Sequence, residues 1–153
     1  MRPLYIFDLD GTLALIHHRV RFLKDTTDPQ RWDKFYDACS FDSPNLPVIG
    51  TMEHLRSFAD VWIFSGRSDQ VREKTVDWLR EYTSFTLHEL DTALTMRPKN
   101  NYTKDDALKA EWFDRMLTLD RDRLVAVFED RDRLVRMWRG AGVACFQVAE
   151  GDF

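Results

Sequence analysis

Short apolar runs alternate along this chain with stretches of helical periodicity. Tyr5-Ile6-Phe7, Val61-Trp62-Ile63-Phe64, Leu124-Val125-Ala126-Val127-Phe128 and Val143-Ala144-Cys145-Phe146-Gln147-Val148 are rich in β-branched and aromatic residues. They are too short for helices, so they predict buried strands, and a weaker strand signal lies near Thr92–Met96. Between them the apolar positions recur at helical spacing. Val48, Met52, Leu55 and Ala59 predict a helix over about 48–58, and Val71, Thr75, Trp78, Leu79 and Tyr82 a second one, capped by Ser68 or Asp69. Leu108, Trp112, Phe113, Met116 and Leu117 predict a third, opened by a Thr103/Asp106 capping box. Leu134, Val135 and Trp138 predict a fourth, stopped by Gly140 and Gly142. Alternating strands and helices imply an α/β fold with a parallel sheet covered on both faces.

Each strand that precedes a helix ends in polar residues. The first breaks off into Asp8-Leu9-Asp10-Gly11-Thr12, the second into Ser65-Gly66-Arg67 before Arg97-Pro98-Lys99 marks a later loop, and the fourth into Glu129-Asp130. In open α/β sheets such ends converge on one crevice. Residues 13–46 read as a small insertion over the end of the first strand, holding the basic patch His17-His18-Arg19-Val20-Arg21, a turn at Asp28-Pro29 and the aromatic stripe Trp32, Phe35, Tyr36. The stripe is expected to be packing first; contact with a substrate base is the minority reading. His17 and His18 are expected to face solvent or pack on the insertion rather than hold a metal.

At 153 residues the chain is long enough for one domain with a real core. Its formal charge of −4 gives no whole-surface attraction for nucleic acid, so an anionic substrate must meet a local group of Arg and Lys. Cys39 and Cys145 lack metal-ligand spacing and read as reduced thiols of a cytoplasmic protein. The early Asp8 argues against a signal peptide, and no run of apolar residues reaches membrane-spanning length.

The chemistry these residues suit is phosphate monoester hydrolysis. Asp8 can attack phosphorus and form an acyl phosphate, while Asp10 protonates the leaving group and later takes a proton from water. Two carboxylates facing a phosphate dianion need a hard cation, for which Mg²⁺ is expected, with Asp8, the backbone carbonyl of Asp10 and Asp130 as ligands. Ser65 can donate to a phosphoryl oxygen. Lys109 can hold phosphate and Asp8, with Asp105 one helical turn earlier to orient it. Singly, the later residues are ordinary: a loop tripeptide, a surface i,i+4 pair, a helix-start acidic pair. Their joint order carries the assignment.

That order resembles the haloacid dehalogenase-like phosphotransferase superfamily. Phe7-Asp8-Leu9-Asp10-Gly11-Thr12 matches the first motif, Ser65 the second, Lys109 the third and Glu129-Asp130 the fourth. The resemblance implies a Rossmann-like three-layer sandwich with strand 1 central, a small cap insertion, a phosphoaspartate intermediate and Mg²⁺. Ser65-Gly66-Arg67, Thr103-Lys104-Asp105-Asp106 with Lys109, Asp130-Arg131, Met137-Trp138-Arg139 and Phe146 through Phe153 more closely resemble the 3′-phosphatase domain of phage-type polynucleotide kinase-phosphatases. There Arg19 and Arg67 would serve substrate binding with Ser65 and Gly66, Asp105 would support the site, and Glu129 stands where that family usually has Asp. The implied function is polynucleotide 3′-phosphatase in nucleic-acid end healing. No Gly-x-x-x-x-Gly-Lys-Ser/Thr loop accompanies it, so the expected partners are 3′-phosphate ends and a separate kinase or ligase. The alternatives are hydrolysis of a small nucleotide or sugar phosphate and, in another class, non-catalytic binding of nucleic-acid ends.

Overall fold

The computed structural model describes residues 1–152; Phe153, the last residue of the C-terminal stretch above, lies outside them. β1 (Leu4–Phe7) is the centre of a five-stranded sheet with β4 (Asp60–Ser68), β5 (Leu94–Arg97), β6 (Leu124–Glu129) and β7 (Cys145–Gln147), in the order β5-β4-β1-β6-β7. Every pairing in it is parallel. Side chains of β1 alternate between two cores. Phe7 packs with Val61 and Ile63 beneath α3 (Leu46–Arg56), α4 (Arg72–Tyr82) and α5 (Leu87–Ala93). Leu4 and Ile6 pack with Val127 beneath α6 (Asp105–Arg115) and α8 (Asp132–Gly140), where Trp138 is fully buried. A short α7 (Thr118–Asp122) leads into β6.

The insertion after β1 is small. It carries two two-residue strands, β2 (Ala14–Leu15) and β3 (Ser43–Pro44), paired antiparallel, and two short helices, α1 (Arg21–Lys24) and α2 (Arg31–Asp37), the latter running into a 3₁₀ turn at Ala38–Phe41. Its two ends meet at Asn45, whose amide donates to Leu13 O at 2.8 Å and whose Nδ2 donates to Thr12 O at 2.9 Å. No helix among the described residues is long and apolar enough to cross a membrane.

Several boundaries differ from those the sequence predicts. β4 does not stop before Ser65: it runs through Ser65, Gly66 and Arg67 to Ser68, with a register shift against β5 between Ser65 and Ser68. Ser68 caps the 3₁₀ turn Asp69–Val71 that precedes α4, by accepting from the Gln70 amide at 3.3 Å. β5 starts at Leu94, because Thr92 belongs to α5, a helix the periodicity left unread; Arg97 ends that strand instead of lying in a loop. β7 is confined to Cys145–Gln147. Leu117, expected to face inward, lies past the end of α6 and is exposed.

The predicted capping box at Thr103 does not form. α6 starts at Asp105 with Lys104 at its N-cap and no side-chain cap. Asp106 Oδ1 instead accepts from the Ala107 amide. The reciprocal box is at Thr86 and Glu89 of α5, where Thr86 Oγ1 accepts from Glu89 N at 3.2 Å and Glu89 Oε2 accepts from Thr86 N at 2.7 Å. Thr86→Ala should therefore lower the unfolding free energy by about 1 kcal/mol, whereas Thr103→Ala should change it by less than about 0.5 kcal/mol. Equilibrium denaturation of the two variants checks the order; equal losses would contradict the cap assignment.

Candidate active site

The register of β1 against β6 places the central residue. Phe7 is level with Phe128, their rings stacked at 4.3 Å, and the Asp8 amide donates to Phe128 O at 2.9 Å. The next residues on the two strands, Asp8 and Glu129, are thereby set side by side with Asp130. Carboxylate oxygens of the three lie within 4.8 Å of one another, and all three residues are buried. Lys109, reaching in from α6, is the buried cation among them: Nζ donates to Asp8 Oδ1 at 2.5 Å and to Glu129 Oε2 at 2.9 Å. Thr12 Oγ1 lies 3.4 Å from Asp8 Oδ2 and 3.5 Å from Asp130 Oδ1, bridging the two.

Three buried carboxylates against one ammonium leave excess negative charge. Burial, then repulsion from Glu129, pushes the Asp8 carboxyl up to about 8 despite Lys109. Burial and the charge of Asp8 push Asp130 up to about 7, and burial also raises Glu129. Burial alone would lower Lys109, but Asp8 and Glu129 hold its ammonium well above the usual range. A buried set of hard oxygen donors with unbalanced negative charge is the donor chemistry of a divalent cation site.

Asp10 belongs to a different lattice. β1 has ended and Gly11, at φ +85°, turns the chain, so Asp8 and Asp10 do not share partners. Asp10 Oδ1 accepts from Arg19 Nη2 at 2.7 Å and from Arg67 Nη2. Burial would raise its carboxyl, but Arg67 and Arg19 outweigh that and hold it below the usual range. Both guanidiniums also bind Asp42, Arg19 through Nε and Nη2 at 2.7 Å each and Arg67 at 3.1 Å. His18 Nε2 meets Asp42 Oδ1 at 2.7 Å, and His17 is exposed, so neither histidine joins the carboxylate triad. Arg19 and Arg67 are fully buried. Arg19 and Arg67, expected to serve substrate binding, are both committed to carboxylates here.

Ser65 Oγ accepts from the Arg67 amide at 3.1 Å, which fixes the bulged end of β4. Asp105 does not orient Lys109. It pairs with Arg97 and with Arg131, and Glu129 holds the lysine in its stead. Asp105 lies so close to Gly66 that a Cβ there would come within 2.8 Å of Asp105 Oδ1. Arg97 Nε donates to Gly66 O at 2.8 Å. Asp105 therefore buttresses the Ser65-Gly66-Arg67 segment from outside. The C-terminal segment closes the far side: Gln147 Nε2 donates to Asp130 O at 2.9 Å and Asp132 N donates to Gly151 O at 2.6 Å.

The family described as the polynucleotide kinase PNKP phosphatase domain matches residues 2–153 of this chain. The chain belongs to that family. It is a haloacid dehalogenase-like phosphatase domain, and its sheet order and the small two-stranded insertion after β1 fit that class. A putative bifunctional polynucleotide kinase/RNA ligase of Autographa californica nuclear polyhedrosis virus is 31% identical over 137 residues, 86% of this chain and 17% of that protein. A chain from a Pnkp1/Rnl/Hen1 RNA repair complex superposes with a TM-score of 0.75 at 30% identity, over 99% of this chain and 44% of that one. The phosphatase domain thus spans less than half the length of these relatives. A haloacid dehalogenase-like hydrolase from Streptococcus pneumoniae shares the fold at a TM-score of 0.59 and 14% identity, over 95% of this chain and 84% of that one.

Sequence reasoning missed Asp42 and the bridging place of Thr12. Asp42 ends the 3₁₀ turn inside the insertion, and nothing in its neighbourhood marks it apart from other loop acids. Thr12 was visible as part of the first motif, but its hydroxyl's two partners depend on a strand more than a hundred residues later.

Gly11 is fixed twice over. Its φ is positive, and an added Cβ would lie 2.0 Å from Asp130 Oδ2. Gly11→Ala should abolish phosphatase activity and lower the melting temperature, since the backbone and the Asp130 carboxylate cannot both keep their places. Retention of wild-type turnover would contradict the close approach described here.

Proposed function

We infer that this phosphatase domain removes 3′-phosphates from nucleic-acid ends, with Asp8 as nucleophile and Mg²⁺ as cofactor. The observation that supports this reading best is the split between two aspartates of one motif: Asp8 beside Lys109 and a buried acidic triad, Asp10 on two guanidiniums. An Asp8 carboxylate oxygen attacks phosphorus in line with the ester oxygen, forming phosphoaspartate as the P–O ester bond breaks. Arrival of a phosphate dianion beside Asp10 raises the proton affinity of its carboxylate, which takes up a proton from solvent and passes it to the leaving alkoxide as the ester bond breaks. Water then attacks the phosphoaspartate, gives its proton to Asp10, and releases inorganic phosphate with Asp8 restored. Lys109 keeps Asp8 oriented, and the Ser65 hydroxyl can donate to a phosphoryl oxygen.

Asp8, Asp130 and Glu129 would hold Mg²⁺, together with the Asp10 carbonyl as a further donor. The ion would neutralise charge on the phosphoryl oxygens. The small insertion supports a polymer end, because residues 13–46 are too few to enclose a substrate. The relatives' settings, a kinase/RNA ligase and an RNA repair complex, support RNA as the polymer to test first and a separate kinase or ligase as the working partner.

The deciding assay compares an oligonucleotide 3′-phosphate, its 5′-phosphate isomer and a small sugar phosphate. The 3′-phosphate should be hydrolysed and the 5′ isomer left largely intact, and Asp8→Asn should lose turnover by at least about a thousandfold with the fold retained. Equal rates on both ends with faster turnover of the small ester would move the assignment to small-molecule hydrolysis; an active Asp8→Asn would sink the covalent route.

The raised carboxyls give a pH signature. In the metal-free domain the stabilising contribution of Asp8 is full below the unfolded value of 3.8 and lost as pH rises through about 8. Protons also compete with the cation for Asp8 and Asp130. Mg²⁺ should therefore raise the melting temperature more at pH 8.5 than at pH 6, and bind more tightly there. Calorimetric titration with and without a chelator reads both; a shift independent of pH would contradict a site built on these carboxyls.

A further inference from the structure

Phe35 of α2 packs on the Arg19 guanidinium that holds Asp10, and Trp32 and Tyr36 pack on Phe35, although nothing in the hydrolysis uses these rings. Arg19, which holds Asp10, lies with its guanidinium carbon 4.3 Å from the centre of the Phe35 ring, and its Nη1 donates to Phe35 O at 3.3 Å. Phe35 is buried. The Trp32 ring packs at 5.9 Å from both Phe35 and Tyr36, edge-on to the first and tilted by 32° to the second. Trp32 is 47% exposed, a large apolar area to leave open beside an ionic site. Positions 32 and 36 share one face of the helix. The neighbouring face, Asp33 and Asp37, is fastened to the chain after β4 by Gln70 and Lys74. That fastening holds α2 against the segment that follows β4. The Tyr36 hydroxyl makes no hydrogen bond among the described residues. Its phenol is half-buried, and Arg97, Asp105, Asp10 and Arg19 all lie near enough for their charges to act on it.

We propose that Trp32 and Tyr36 form a stacking platform for the terminal nucleobase of the substrate, so that the enzyme grips the base next to the 3′-phosphate as well as the phosphate. This rests on the polynucleotide reading above. An exposed indole beside a half-buried phenol offers a flat, apolar, polarisable surface. A nucleobase has a π-face of matching size whatever its identity, so the platform would take any sequence. Arg19, stacked on Phe35 and bonded to Asp10, fixes the aromatic group relative to Asp10. The polar edge of the platform favours the same occupant: a purely apolar partner would bring nothing to meet the Tyr36 hydroxyl, whereas a nucleotide carries both an apolar face and hydrogen-bonding edges.

The test uses two 3′-phosphorylated oligonucleotides that differ in one respect, a normal terminal nucleotide or an abasic one. The wild-type domain should prefer the base-bearing end by about tenfold in kcat/KM, carried by KM with kcat little changed. Trp32→Ala should lower kcat/KM on the base-bearing end by about the same factor and add no further loss on the abasic end. Trp32→Phe should restore most of it, and Tyr36→Leu should repeat the pattern of Trp32→Ala. Equal losses on both ends would overturn the platform, as would a wild-type enzyme indifferent to the missing base, a comparison that needs no variant. Cleavage of both ends at one rate overturns the platform alone. Failure to cleave either end, with turnover of a small ester intact, overturns the polynucleotide reading along with it.

Discussion

Burial of three carboxylates at the ends of two adjacent strands, with Lys109 as their buried ammonium, is the constraint around which the rest of the molecule is arranged. Isolated charges of one sign are expensive to bury, and the protonation behaviour of Asp8, Glu129 and Asp130 carries that cost. The surrounding chain is shaped to permit the approach. Gly11 leaves room for the Asp130 carboxylate, Thr12 supplies a hydroxyl between Asp8 and Asp130, and Gly151 allows the C-terminal segment to lie against Asp130 O, where a Cβ would come within 2.5 Å. The stacked Phe7 and Phe128 rings seal the floor below.

The second ionic group ties the insertion to the sheet. Arg19 and Asp42 come from the insertion, Asp10 and Arg67 from the strand ends, and the four are bound to one another, with Arg19, Asp42 and Arg67 buried and Asp10 partly exposed. Trp78 of α4 adds a donor to Asp42 O at 2.8 Å, bringing the main core into the same lattice. Buried ion pairs contribute little net stability because desolvation offsets their attraction. What they do impose is geometry: removing any one partner leaves another charge buried and uncompensated. The insertion is thereby held in one position relative to Asp10, which a cap resting on apolar contact alone would not ensure.

The sheet and the meeting of Asp8, Glu129 and Asp130 were legible from strand-length apolar runs and what stands at their ends; the central place of the first strand was implied by the family resemblance, and Lys109 was read as a helical lysine able to reach Asp8. Errors arose where tertiary partners decide. Asp105 and Lys109 stand one turn apart on a helix, which suggests a pair, yet Arg97 and Arg131 take Asp105 and Glu129 takes the lysine. α5 escaped because its inward positions Leu90 and Ala93 are few, although its Thr86/Glu89 capping box was there to be read. The end of β4 was misjudged because Gly66 reads as a turn, whereas it serves as a bulge against which Asp105 packs. The burial of Arg19 and Arg67 could not be seen at all, since arginine is seldom buried without partners and the partner Asp42 carries no local mark.

Asp8 and Asp10 show how much of the chemistry lies beyond residue type. They are the same side chain, two positions apart, at the end of one strand. One is surrounded by carboxylates and becomes a weak acid; the other receives two guanidiniums on a single oxygen and becomes a strong one. Pushing the two apart in this way suits them to the different tasks proposed above. A residue kept ionised by neighbouring cations can release or recover a proton only when an anion arrives to offset those cations. The group that does so in a phosphatase is the phosphate itself. On the mechanism proposed above, proton transfer at Asp10 would be tied to occupancy of the site, and the lattice that fixes the insertion would also make Asp10 respond to substrate.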